Sequence, residues 1–265
     1  MKLFDSHCHI DDNSFDNDRK DVIQNAIDSD VCAMMIVGIT EDSARKAIQI
    51  TDHFPQCYAS VGIHPHDSKK CSESSFSALI ELSQHEKVKA WGETGLDFNR
   101  MYSPQNIQEK WFIRQLEIAE HHGFPLIFHE RDSNGRFLDI LKSYDPDERR
   151  GVVHCFSGSK KELKGYLDLN YDIGITGIIT QKKRGAFLRS LLPYIPKERI
   201  LIETDAPYLT PMPEKKNFRR NEPAFVRSTF YKICEMYQDD MEELAQTIWN
   251  TTCRLYGIKF ANTNP

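Results

Sequence analysis

The sequence predicts a closed (β/α)8 barrel of parallel strands, a single domain over residues 1–265. Three observations predict it. Eight short apolar runs alternate with longer segments whose apolar residues recur at helical spacing, the pattern of βαβ units on a parallel sheet. The length matches one α/β barrel, which needs about 250 residues, and no repeat, low-complexity tract or linker divides it. No Gly-x-Gly-x-x-Gly or Gly-x-x-x-x-Gly-Lys-Ser/Thr motif follows the first run, which weakens an open nucleotide-binding sheet.

The expected strands are residues 2–4, 32–37, 58–62, 88–91, 125–128, 151–153, 172–175 and 200–202, each too short for a helix and rich in apolar side chains. Between them, residues 18–28, 41–50, 105–121, 160–169 and 184–192 carry the 3.6-residue apolar period. The tail, residues 222–256, reads as two amphipathic helices that close the barrel.

Charged residues make up 28% and hydrophobic ones 40%, which excludes long disorder. A net charge of −5 argues against coating duplex DNA through bulk charge and leaves room for a local basic patch. The longest apolar run, residues 31–39, is far below the roughly 20 residues that span a bilayer. The first residues lack a signal peptide's apolar stretch, so a soluble cytoplasmic protein without a membrane partner is expected. Seven scattered cysteines with no Cys-x-x-Cys pair argue against a disulfide framework or a thiolate zinc site.

The histidines and carboxylates fall differently. His7 and His9 follow the first run, Glu93 ends the fourth, His129 the fifth, His154 the sixth and Asp205 the eighth. Parallel barrel strands all end on one face, where active sites sit, so these residues would converge. Alternation along a strand points His7 and His9 one way and Cys8 the other, and pairs Glu203 with Asp205. A single His-x-His pair is weak, and Glu93, His129 or His154 alone is more often a hydrogen-bonded core group. Together, four imidazoles and two carboxylates suffice for two divalent ions sharing a carboxylate. Two ions about 3.5–4 Å apart can clamp both oxygens of a displacement. Cys8 and Cys155 should face outward into core packing.

The segments 4–9 (FDSHCH), 62–66 (GIHPH), 92–98 (GETGLDF), 154–158 (HCFSG), 203–208 (ETDAPY) and 219–223 (RRNEP) resemble the signatures of the TatD family of metal-dependent deoxyribonucleases, over residues 4–260. The resemblance implies that His7, His9 and Asp205 hold one ion, that Glu93 bridges, and that His129 and His154 hold the second. Some members lack the first histidine pair; this chain keeps it. It also implies hydrolysis of DNA, often from the 3′ end of single strands, with magnesium linked to nuclease activity and manganese or zinc chemically suited to the histidines. The catalytic residues would be Glu93 and Asp205.

Further residues have two readings each. Asp205 is either ligand and proton acceptor or ligand alone, and Glu203 is a supporting inward carboxylate. His64 and His66 either contact a phosphate or base or shape their loop. Arg131 either meets a phosphate or braces the site through Asp97. The basic clusters Lys182-Lys183-Arg184 and Lys215-Lys216 with Arg219-Arg220, in loops of the catalytic face, are candidate phosphate contacts, Arg220 among them. Tyr208 either stacks on a base or packs beneath its loop. The rival function is a related barrel hydrolase opening a C–N, lactone or other ester bond, since fold and metals do not specify substrate. Many such enzymes bridge their ions with a carbamylated lysine on the fourth strand, where this chain has Glu93. A non-enzymatic metal-stabilised module would need extra ligands that the sequence lacks. A monomer is the simplest assembly.

Overall fold

Apolar runs flanked by amphipathic segments bury themselves only when the strands pair and the helices cover them. The computed structural model, which describes residues 1–144 and 150–260, shows this outcome. The strands are β1 (Leu3–Cys8), β2 (Val31–Val37), β3 (Cys57–Val61), β4 (Val88–Asp97), β5 (Leu126–Arg131), β6 (Gly151–Val153), β7 (Asp172–Ile175) and β8 (Ile200–Ile202). All pair in parallel, in chain order from β1 to β8. The helices are α1 (Arg19–Asp28), α2 (Glu41–His53), α3 (Glu73–Leu82), α4 (Gln105–His122), α5 (Arg136–Ser143), α6 (Lys160–Asp168), α7 (Ala186–Leu191), α8 (Val226–Tyr237) and α9 (Met241–Tyr256). No helix among the described residues is long and apolar enough to cross a membrane.

The ring closes through residues just beyond β8. Asp205 N donates to His7 O (2.9 Å) and His9 N to Ala206 O (2.7 Å), while Thr204 is held to the Asp5 carboxylate by its amide (2.8 Å) and its hydroxyl (2.6 Å). Burial pushes the Asp5 carboxyl up to about 8, despite those Thr204 hydrogen bonds. The seam is therefore pinned where His7, His9 and Asp205 lie.

Phe4, Ala33, Met35, Val37, Ala90, Ile127, Val152 and Leu201 fill the barrel, and α9 seals its amino end with Trp249 and Tyr256. Leu3, Cys8, Met34, Ile36 and Trp91 belong to the separate core between sheet and helices. Strict alternation would put Cys8 on the same side as Phe4. A register irregularity between Asp5 and Cys8 reverses the parity, so Cys8 packs outward as expected. A second irregularity, between Trp91 and Thr94, lies at Glu93 in the same way.

Three strands run further than their apolar runs. β1 reaches Cys8, β4 reaches Asp97 and β5 reaches Arg131, so His7, Glu93 and His129 lie inside strands and not after them. An apolar-run criterion stops at the first polar residue, whereas backbone pairing continues beneath it. In the reverse sense, α7 is shorter than the periodic segment 184–192. Two further helices form, α3 on a face as small as Phe76 with Leu79, and α5 on Phe137, Leu138, Ile140 and Leu141.

Gly95 is held at φ +147°, and a Cβ there would lie 1.9 Å from the carbonyl oxygen of His129 on the neighbouring strand. The three nearest atoms are all backbone of His129, which cannot move aside as a flexible side chain could. Gly95→Ala is expected to cost about 3 kcal/mol, measured by denaturant unfolding. A loss below about 0.5 kcal/mol would contradict the tight β4–β5 contact.

Candidate metal centre

Glu93 is buried at the carboxyl end of the barrel, and each of its oxygens faces a different set of imidazoles. Oε1 lies 2.7 Å from His129 Nδ1, 3.4 Å from His64 Nε2 and 3.4 Å from His154 Nε2. Oε2 lies 3.4 Å from His7 Nε2 and 3.8 Å from His9 Nε2. Asp205 Oδ1 adds a second carboxylate on that side, 3.4 Å from His9 Nε2 and 3.8 Å from His7 Nε2. The rings of His7 and His154 stack at 3.7 Å and join the two halves.

The outer nitrogens are tied down. His9 Nδ1 is 3.1 Å from Val37 O, His154 Nδ1 is 3.1 Å from Glu203 Oε1, and His129 Nε2 is 3.3 Å from Asp97 Oδ2. An acceptor behind an imidazole fixes its tautomer and presents the other nitrogen as a lone pair, the usual support of a metal-binding histidine. Asp97 Oδ1 in turn accepts from Asn99 N and Arg100 N, and its Oδ2 also meets His66 Nε2 at 2.7 Å. Glu203 Oε1 also accepts from the Cys155 amide.

Inward, the nitrogens crowd together without enough acceptors: His7 Nε2 and His9 Nε2 are 3.2 Å apart. His7 Nδ1 is buried and has no hydrogen-bond partner among the described residues. Donor atoms of His7, His9 and Glu93, of His7, His154 and Asp205, and of Glu93, His129 and His154 lie within 4.8 Å of one another in each set. This mixture of neutral imidazoles and carboxylates fits divalent cations. The fit is also electrostatic. Burial alone would raise the Glu93 carboxyl, but His64, His154 and His129 hold it well below the usual range. Burial opposes charge on His9 and His129 too, yet the hydrogen bonds from Asp205 to the former and Asp97 to the latter raise each to about 9. Burial pushes His64 down to about 4.

The other expected residues divide. His64 and His66 both reach the cluster, closer to Glu93 and Asp97 than a role in loop shape alone requires. His64 Nδ1 also accepts from the His66 amide, so the loop is shaped by the same side chain. Asp97 does not brace Arg131: its oxygens serve His66, His129 and two backbone amides. Arg131 is exposed and lines the cavity mouth. Arg220 is not a contact of the site. Its guanidinium bonds both oxygens of Asp18 (2.9 and 2.6 Å), Glu222 Oε1 and Ser14 O, and covers the Phe15 ring, so it fastens the loop after β8 to the start of α1. Cys155 does not face the helices but lines the cavity, because β6 ends at Val153 and Cys155 turns at φ +45°, outside any strand alternation.

The cluster floors a cavity of about 920 Å³ lined also by Arg100, Tyr102, Arg184, Phe187 and Tyr208. Of the two basic clusters only Arg184 reaches it. Sequence reasoning missed Arg100, Tyr102 and Phe187. Their place after β4 and β7, in a loop for Arg100 and Tyr102 and at the start of α7 for Phe187, was the available signal.

The family model for TatD related DNase matches residues 4–257. A 3′-5′ ssDNA/RNA exonuclease TatD of Escherichia fergusonii is 37% identical over 260 residues, covering 97% of this chain and 100% of that protein. The Salmonella typhimurium protein of the same name is 38% identical over 245 residues, 92% of this chain and 94% of its own. The solved structure of a TatD homologue from Escherichia coli K12 superimposes with a TM-score of 0.89 at 28% identity, over 97% of this chain and 98% of that one.

Proposed function

We propose, for a chain that belongs to the TatD related DNase family, that it is a metal-dependent exonuclease removing nucleotides from the 3′ end of single-stranded DNA. The observation that carries this reading is the division of nitrogens around Glu93, three at one oxygen and two at the other. His7, His9 and Asp205 would hold one divalent ion, His129 and His154 a second, with Glu93 between them; magnesium, manganese or zinc are the candidates. Such ions neutralise phosphate charge and make a water acidic enough to attack phosphorus. Asp205, ionised because His9, His154 and His7 outweigh the effect of its burial, can accept that water's proton. Glu203 and Asp97 keep His154 and His129 oriented. Arg100, Arg131 and Arg184 place positive charge at the mouth, where a phosphate backbone would enter. A cytoplasmic monomer with DNA as partner is consistent with these roles.

The rival reading, a small-molecule amide or lactone hydrolase, lacks the lysine that would bridge its ions: among the described residues no lysine lines the cavity. The deciding experiment incubates 5′-labelled single-stranded DNA with Mg²⁺, Mn²⁺ or Zn²⁺. Shortening from the 3′ end supports the exonuclease. Inert DNA beside turnover of a lactone or amide overturns it.

The loop after β7 should act on binding. Arg189 on α7 donates to the carbonyls of Ile179, Gln181 and Lys182 and so fixes the base of the Lys182–Lys183–Arg184 loop. Replacing all three basic residues by glutamine is expected to raise KM and to reduce the salt slope of log K, by ~0.7 if only Arg184, which lines the cavity, meets a phosphate and by about 2 if the strand runs on over both lysines. An unchanged slope would assign them to a solvated surface.

A further inference from the structure

Exposed large aromatic side chains are uncommon enough on a soluble surface that several around one opening need a reason. Tyr102, Phe187 and Tyr208 are 55%, 56% and 55% exposed, and all three line the mouth of the cavity above Glu93. Tyr102 comes from the loop after β4 and Tyr208 from the loop after β8, and Phe187 stands in the first turn of α7, the helix that follows β7. In an eight-stranded ring running in order from β1 to β8, β4 lies opposite β8, and β7 adjoins β8. Tyr102 thus stands across the barrel from Tyr208 and Phe187.

The contacts beneath them follow the same division. The Tyr102 ring meets His66 edge-on at 4.7 Å, on the side of Asp97 and His129. The Tyr208 ring meets His9 at 6.2 Å, on the side of Asp205. Among the described residues no ring contact of Phe187 with another aromatic is seen, and Ile178, Leu188 and Leu191 line the same cavity. Arg100 and Arg184 stand beside Tyr102 and Phe187 in sequence and line the same mouth. The lining also holds the carboxylates Asp11, Asp12, Asp67, Glu130 and Asp132, so the cations do not make the mouth uniformly positive; what the aromatic faces add is a surface on which unpaired bases can stack beside a phosphate backbone.

We propose that Tyr102 on one rim, and Phe187 with Tyr208 on the other, clamp the two unpaired bases that flank the scissile phosphate. The proposal rests on the nuclease reading and deepens it. A base stacked on a side chain cannot also be paired in a duplex, so the clamp selects single-stranded ends by their free base faces and tolerates any sequence. Stacking fixes the nucleosides on either side of the phosphate, which positions the phosphorus over Glu93 without contact to the reacting atoms.

The test compares Phe187→Ala and Tyr102→Ala with the parent on two 5′-labelled substrates. One is an oligothymidylate. The other has equal length, but its two 3′-terminal residues lack bases. On the oligothymidylate each variant should raise KM by about 5-fold to 150-fold, the loss of one base–aromatic stack. On the base-less oligomer variant and parent should agree within about twofold, because the partner of the deleted ring is already absent. Phe187→Trp should restore KM and Phe187→Leu should not. Both side chains are exposed, and melting temperatures confirm that the variants fold. Equal KM increases on both substrates, or no increase on the oligothymidylate, would overturn the clamp while DNA cleavage by the parent left the nuclease reading standing. If the parent cuts neither oligomer but opens a lactone or amide, the nuclease reading fails and the clamp with it.

Discussion

Glu93→Ala is expected to remove hydrolysis, by a factor of at least about 10⁴ in kcat, while the barrel remains folded. A loss of that size corresponds to about 5 kcal/mol of barrier, at 1.36 kcal/mol per tenfold. Glu93 offers one oxygen to each half of the cluster, with His129, His64 and His154 at one oxygen and His7 and His9 at the other. Removing it would take away a carboxylate that the proposed metal site needs both as a donor and to neutralise cationic charge. The fold does not depend on it, since β4 pairs with β3 and β5 through its backbone. Far-ultraviolet circular dichroism and the melting temperature check the fold, and elemental analysis checks bound metal. Near-parental kcat with metal content unchanged would refute the bridging role. Glu93→Gln separates charge from shape: it keeps the side-chain volume, and it should fail nearly as badly because the amide cannot neutralise two cations.

The barrel was legible because its strands are apolar runs and its helices are amphipathic, and both patterns follow from burial in two layers of core. Convergence of His7, His9, Glu93, His129, His154 and Asp205 was legible for a topological reason: parallel strands share one end. The irregularities in β1 and β4 were not, yet they turn His7 and Glu93 toward the centre. Contacts made by loops were the least legible. Arg220 sits in a basic run that looks like a phosphate site, and nothing local shows that Asp18, 202 residues earlier, occupies it. Asp97 was paired in expectation with Arg131, whereas the turn after β4 gives it two backbone amides and leaves its other oxygen for histidines. Tyr102 carries no periodicity, and Phe187 lies in a periodic segment that shows a helix without showing that its first turn opens on the cavity, so only placement on the catalytic face makes them visible.

Asp205→Asn is expected to lower kcat by about 10²–10⁴-fold with metal content only modestly reduced, the loss typical of a positioned base. The side chain lies at the edge of the cluster, with 15% of its surface exposed toward the cavity, whereas Glu93 is closed off at 3%. That opening is where a water and a phosphate can reach it. Its Oδ1 meets His9 and His7, and the imidazoles around it hold its carboxyl below the usual carboxylate range although burial pushes the other way. It is therefore ionised at neutral pH and free to take a proton during attack. Asparagine keeps an oxygen in the same place but cannot accept that proton. Its backbone role is untouched, because the seam bond runs from the residue 205 amide to His7 O. If Asp205 serves only as a ligand, excess metal should return kcat of the variant to within about fivefold of the parent. If it also carries the proton, the loss persists with metal bound, leaving a barrier about 3–5 kcal/mol higher. The measurement is kcat on single-stranded DNA at saturating metal, with metal content determined separately, and recovery of the rate would remove the proton-accepting role from Asp205.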